Sequence, residues 1–133
     1  MGRTREVIDL EPAFIASVVK QNDYVSVICA GQPVWPQELA GAPAHIPLFD
    51  CEMRILNGAI EIITVDLPYE SAEWQIEFAE GSLRCFLPTD FSVTGSVLLR
   101  IGSVDSPGIV IAGTGAKLFL RKQVGVIEIT PCE

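Results

Sequence analysis

From Trp74 to Leu87 the chain reads WQIEFAEGSLRCFL, apolar and polar residues alternating on both sides of Glu80-Gly81. No other stretch restricts the fold as tightly. A two-residue hairpin loop needs positive φ at its second position, which glycine adopts without steric penalty. Counting outwards pairs Phe78 with Leu83, Glu77 with Arg84, Ile76 with Cys85 and Trp74 with Leu87. One face then carries Trp74, Ile76, Phe78, Leu83, Cys85 and Leu87; the other carries the Glu77–Arg84 pair and Phe86. A slip of one residue would turn every one of those apolar side chains to water, so the register is strongly specified.

Similar signals recur. Asn57-Gly58 predicts a hairpin pairing Leu56 with Ala59, Ile55 with Ile60, Arg54 with Glu61 and Met53 with Ile62. Gly113-Thr114-Gly115 predicts a three-residue loop pairing Val110 with Leu118, and a loop over 122–125 would pair Leu120 with Ile127. Residues 24–30 (YVSVICA) and 92–102 read as strands, with Gly95 marking a bulge or bend. The predicted β meander spans 50–130 and, with the strand at 24–30, gives about nine strands by these pattern signals.

Two segments differ. Over 12–21, Pro12 suits a first helical turn, Phe14, Ile15, Val18 and Val19 form a stripe, and Lys20 stands near the C-terminal end. That spacing predicts a helix. Residues 31–49 contain Pro33, Pro36, Pro43 and Pro47, which argue against a central strand. They predict a proline-rich loop lying on an apolar surface, with Pro36 opening one helical turn through Ala40. The expected class is α+β, mainly β: an antiparallel meander forming a barrel or sandwich, with one N-terminal helix. With 133 residues and no repeat or linker, the expectation is a single domain over 1–133.

Composition narrows function. The chain has 9 basic and 17 acidic residues, net charge −8, which works against nucleic-acid binding through phosphate neutralisation. No apolar run reaches the ~18 residues of a membrane span. The start, MGRTREVIDL, lacks an apolar signal-peptide region, and Glu6 stands where a myristoylation signal wants Ser or Thr. A soluble, cytoplasmic chain is expected. Cys29, Cys51, Cys85 and Cys132 form no CxxC pair and His45 is the single histidine, so neither metal nor cofactor is expected. Reduced thiols filling the core are the expectation for Cys29, Cys51 and Cys85.

Most catalytic readings fail on inventory, a carboxylate-based hydrolase being the catalytic alternative left. No serine lies in a GxSxG elbow, and GTGAK at 113–117 lacks phosphate-loop spacing. Asp50 with Glu52, or Glu73 with Glu77, would suit a carboxylate-based hydrolase, yet nothing raises them above surface charge. Between Arg54 and Arg84 stand Glu61, Asp66, Glu70, Glu73, Glu77 and Glu80 with no Lys or Arg. The reading is a non-enzymatic protein-binding module of inhibitor, immunity or adaptor type. Its acidic β surface and proline-rich loop would meet a basic partner or mediate self-association, through Trp35, Glu73, Glu77 and Phe86. The alternative is a barrel binding a small apolar ligand under loop 31–49, with Trp35, His45 and Tyr69 touching it.

Overall fold

The computed structural model describes residues 6–36, 45–71, 73–103 and 105–128, and every regular element among them is a strand. In chain order these are β1 (Glu6–Asp9), β2 (Ala13–Lys20), β3 (Tyr24–Pro36), β4 (His45–Leu56), β5 (Ala59–Ile63) and β6 (Tyr69–Ser71). There follow β7 (Trp74–Phe78), β8 (Gly81–Arg84), β9 (Phe86–Pro88), β10 (Ser92–Gly102) and β11 (Pro107–Glu128). All pairing is antiparallel, in the order β6-β2-β3-β4-β11-β10-β7-β8, with β1 bridging the far end of β3 to β9 and β5 flanking β11. The strands do not close into a barrel. Among the described residues no helix is long and apolar enough to cross a membrane.

The longest strand, β11, organises the sheet. It pairs β10 through 107–117 on one edge, and β5 and then β4 along the other. This overturns three expected hairpins. Leu56 faces Gly115 and Ala59 faces Ala112, so Asn57-Gly58 does not reverse the chain. It kinks a strand that continues alongside β11. Asn57 adopts φ 49°, its backbone N–H donates to the Asp23 carbonyl at 2.8 Å, and its side-chain amide donates to Thr114 Oγ1 at 2.8 Å. Gly113-Thr114-Gly115 is likewise not a loop but the part of β11 opposite this kink. A Cβ on Gly113 would fall 2.5 Å from both the Leu56 carbonyl oxygen and Ile55 Cγ2, so glycine here permits close approach rather than a turn. The expected bulge at Gly95 does form: φ is 93°, and β10 carries an extra residue between Thr94 and Val97.

A second bend crosses three strands at one level. Between Cys51 and Phe49, both neighbours of β4 carry an extra residue: β3 between Cys29 and Gln32, and β11 between Leu120 and Gln123. The expected loop over 122–125 is this bulge. Gly31 takes φ 64°, and its N–H donates to Asp50 Oδ1 at 3.0 Å, so the disturbed ladder keeps a partner for that amide.

The predicted N-terminal helix is instead β2. Ile15 faces Cys29 and Ser17 faces Ile28, so Ala16 is an extra residue. The bulge lengthens a period of two to a step of three between Ile15 and Val18, which imitates helical spacing in the sequence. The proline-rich loop is also largely strand. β3 runs to Pro36 and β4 starts at His45, while 37–44, including most of the expected helical turn, lies outside the described residues. Pro33 and Pro47 occupy ladder positions next to bulges, opposite Leu48 and Val126, where pairing is interrupted.

The β7–β8 hairpin forms, shifted by two residues: Phe78 faces Gly81, Ile76 faces Leu83 and Glu77 faces Ser82. A shift of two keeps every side chain on its face, so the buried alternation survives. The hairpin stops short of Leu87 because Cys85, at φ 63°, turns the chain into β9, where Leu87 pairs with Ile8. The Glu77–Arg84 pair is therefore not made; Glu77 pairs with Arg100 of β10. A single apolar cluster draws on both halves of the sheet, including fully buried Ile15, Ile55, Ile76, Leu99, Ile101, Ile109 and Ile111.

Candidate functional site

Where β1 hands over to β2, the chain turns through Leu10-Glu11-Pro12 across the bulged part of β3. Gln32 holds this corner. Only 2% exposed, it accepts from the Phe14 N–H at 2.8 Å and donates to the carbonyls of Asp9 at 2.7 Å and Pro12 at 3.0 Å. Asp9 Oδ1 in turn accepts from the Glu11 N–H at 3.0 Å. The Leu10 N–H donates to the Cys85 carbonyl at 2.6 Å, tying the corner to the start of β9.

A cleft of ≈ 360 Å³ opens beside this corner, lined by Asp9, Glu11, Pro12, Phe14, Ala30, Gly31, Gln32, Pro33, Leu48, Glu70 and Ile127. Its apolar walls remain in water: Phe14 is 41% and Ile127 40% exposed. Glu70 stands directly across the β2–β6 pair from Phe14, so a carboxylate lies beside the aromatic ring's strand position on the same face. Asp9, Glu11 and Glu70 supply three carboxylates, and no Lys or Arg among the described residues lines the cleft. Such a lining suits a cationic head on an aliphatic stem.

On the other side of Glu11 lies a more polar cleft of ≈ 300 Å³, bounded by Glu11, Glu73, Trp74, Arg84, Ser103 and Asp105. Here the Cys85 thiol donates to Glu11 Oε2. That hydrogen bond, together with burial and the Glu11 charge, pushes the Cys85 pKa up to about 11. The thiol is thus protonated at neutral pH and a poor nucleophile.

Across the sheet, the outer face of β3, β4 and β11 has a different chemistry. The Arg54 guanidinium lies 4.6 Å from the ring centroids of both Tyr24 and Phe119, and its Nε is 3.2 Å from Glu52 Oε1. Ser26 donates to Glu52 Oε2 at 2.6 Å. Burial pushes the Glu52 carboxyl up, but the Ser26 hydroxyl and the Arg54 guanidinium, with the Arg121 charge, outweigh it and hold the pKa below its ordinary value. Lys117 Nζ sits 5.2 Å from the Phe119 centroid. The Arg54 guanidinium is stacked between two rings and ion-paired with Glu52, although its buried Nε makes no hydrogen bond of good geometry among the described residues. The cluster reads as a packing unit.

The residues singled out from sequence fare unequally. Trp35 and Phe86 do share a face: Val7 of β1 is opposite Trp35, and Asp9 two residues on is opposite Phe86. Phe86 is 48% exposed, whereas the Trp35 indole Nε1 is buried without a hydrogen-bond partner among the described residues. Glu73 lines the polar cleft, and Glu77 is engaged by Arg100, so the two do not form one surface. Gln75, two residues from Glu77 on the polar side of the alternation, is nevertheless only 9% exposed. His45 is exposed, its Nδ1 4.0 Å from Glu128 Oε1; Tyr69 is opposite Ile15 in the β2–β6 pair and packs against the core. Neither cleft is lined by Trp35, His45 or Tyr69. The residues that sequence reasoning passed over are Asp9, Glu11, Phe14, Gln32 and Ile127. Reading 12–21 as helix hid Phe14, and reading 31–49 as loop hid Gln32.

Compared with protein-family models, with curated proteins and with solved structures, the chain matches none.

Proposed function

We propose that this chain is a non-enzymatic protein-binding module whose cleft at Asp9, Glu11, Phe14, Glu70 and Ile127 takes a basic, partly apolar segment of a partner protein. The observation that carries this reading is the pairing of two exposed apolar walls with three carboxylates and no lining cation among the described residues. A Lys or Arg side chain matches both properties, since its methylene stem covers apolar surface while its head stays with carboxylates. The acid runs of the sequence support the reading only in part. Glu70 belongs to the cleft, whereas Glu77 is already paired with Arg100. Leu48, Pro33 and Ile127 extend the apolar wall towards the ends of β4 and β11, which favours an extended segment over a single side chain.

A random-peptide display selection on the full-length chain tests the proposal. Enriched sequences should combine Lys or Arg with Leu, Ile or Phe, and should lose binding to the Glu70→Lys variant and at high ionic strength. Enrichment of acidic or purely apolar sequences, or binding indifferent to Glu70→Lys, would remove the cleft from the account.

A further inference from the structure

The β3–β4 ladder sets Cys29 directly opposite Cys51, both free, both facing the core, and only 2% and 1% exposed. Opposed residues in antiparallel strands have Cα atoms about 4.5–5.5 Å apart. A disulfide spans Cα separations of about 4.4–6.8 Å. The first range lies inside the second, so the backbone already has the spacing a bond between them needs. The neighbouring Cys51 thiol, with burial, pushes the Cys29 pKa well above the ordinary thiol value.

Their position in the ladder matters as much as their spacing. This is the last regular pair before the β3 bulge; the next pair is Gln32 with Phe49. The ladder is already interrupted there, with the Gly31 N–H bonded to the Asp50 side chain instead of to a strand partner. Local opening concentrates where backbone pairing is interrupted, and that gives a small molecule transient access to the adjacent pair.

We propose that Cys29 and Cys51 form a reversible cross-strand disulfide when the protein meets a low-molecular-weight disulfide oxidant. The Cys51 thiolate attacks one sulfur of the oxidant RSSR. The S–S bond of RSSR breaks, and RS⁻ leaves to take up the proton that Cys51 gave to solvent. Cys29 then loses its proton and attacks Cys51 Sγ in the mixed disulfide. The protein Sγ–Sγ bond forms and the second RS⁻ departs as RSH. Two protein thiols are oxidised by two electrons, and one RSSR is reduced to two RSH. Cys29 is the second nucleophile: the neighbouring Cys51 thiol, with burial, pushes its pKa well above the ordinary thiol value. Cys85 is a poor competitor because Glu11 keeps it protonated.

The test uses the full-length chain carrying Cys85→Ser and Cys132→Ser, treated with excess oxidised glutathione in buffer and in urea well below the unfolding midpoint. The expected result is the loss of both alkylatable thiols, a mass lower by two hydrogens, and a dithiothreitol-reversible link between the peptides containing Cys29 and Cys51. With Cys29→Ser added, the glutathione adduct on Cys51 should accumulate instead. A stable glutathione adduct with Cys29 still present would overturn the proposal. So would two thiols that resist the oxidant in sub-denaturing urea.

Discussion

Replacing Gln32 by Leu tests whether one buried amide holds the corner that shapes the cleft. The side chains are close in size, so the substitution removes hydrogen bonds more than volume. It strands the Phe14 N–H and the carbonyls of Asp9 and Pro12, now bonded at 2.8, 2.7 and 3.0 Å. A buried polar group left unpaired costs about 1–3 kcal/mol. The adjoining cleft lets water reach part of the corner, so the low end of that range applies, and three groups give about 3–5 kcal/mol. That is a large share of the ~5–15 kcal/mol that holds a domain folded. Urea denaturation reads it directly: with a slope near 2 kcal/mol per molar, the midpoint should fall by about 1.5–2.5 M at unchanged slope. Gln32→Glu separates the donors from the acceptor. It keeps an oxygen for the Phe14 N–H but turns a second oxygen towards two carbonyls, so its penalty should grow as pH rises and the carboxyl ionises. Amide exchange at Phe14 should accelerate in Gln32→Leu and stay slow in Gln32→Glu, which keeps the acceptor for that N–H. A Gln32→Leu midpoint within about 0.5 M of wild type, equivalent to ~1 kcal/mol, would refute the assignment.

Glu52 carries a pH signature. Its folded pKa is lowered, so its charge stabilises the fold above the unfolded carboxyl pKa of about 4.3, and that contribution disappears as pH falls through the folded value. The stability difference between wild type and Glu52→Gln, followed by urea melts across pH, should be largest near neutrality and shrink below about pH 4.3. Cys85 should alkylate slowly at pH 8, and Glu11→Gln should speed it by lowering a thiol pKa now near 11; equal iodoacetamide rates would count against the Glu11 contact. Gly113→Ala should destabilise by about 1–3 kcal/mol through overpacking. Gly125→Ala, whose Cβ would meet nothing nearer than Leu48 Cδ1 at 3.5 Å, should change the thermal midpoint little.

Much of the β character was legible because apolar and polar residues alternate along the sequence around the β7–β8 hairpin. Trp74, Ile76 and Leu83 lie inward as the sequence implies, and the shift of the hairpin by two residues leaves that unchanged. What misled were bulges and kinks, which preserve composition while breaking the period. Ala16 turned a strand pattern into an apparent helix, and Asn57-Gly58 looks identical whether it reverses a strand or bends one. The choice between those outcomes rests on long-range pairing: Gly113 provides the gap into which the Leu56 carbonyl fits, fifty-odd residues away. The cleft was hidden for the same reason. Asp9, Gln32, Glu70 and Ile127 are brought together only by strand order, and no local motif joins them.

The central claim is that the cleft, not the Arg54 face, receives a basic segment. An amide chemical-shift titration of the full-length chain with a peptide alternating Lys and Leu tests it most directly. Shifts should concentrate at 9–14, 31–32, Leu48, Glu70 and Ile127, weaken with added salt, and vanish in Glu70→Lys, while a Glu–Leu peptide leaves them unmoved. Shifts centred on Tyr24, Arg54 and Phe119, or an equal response to both peptides, would contradict the account.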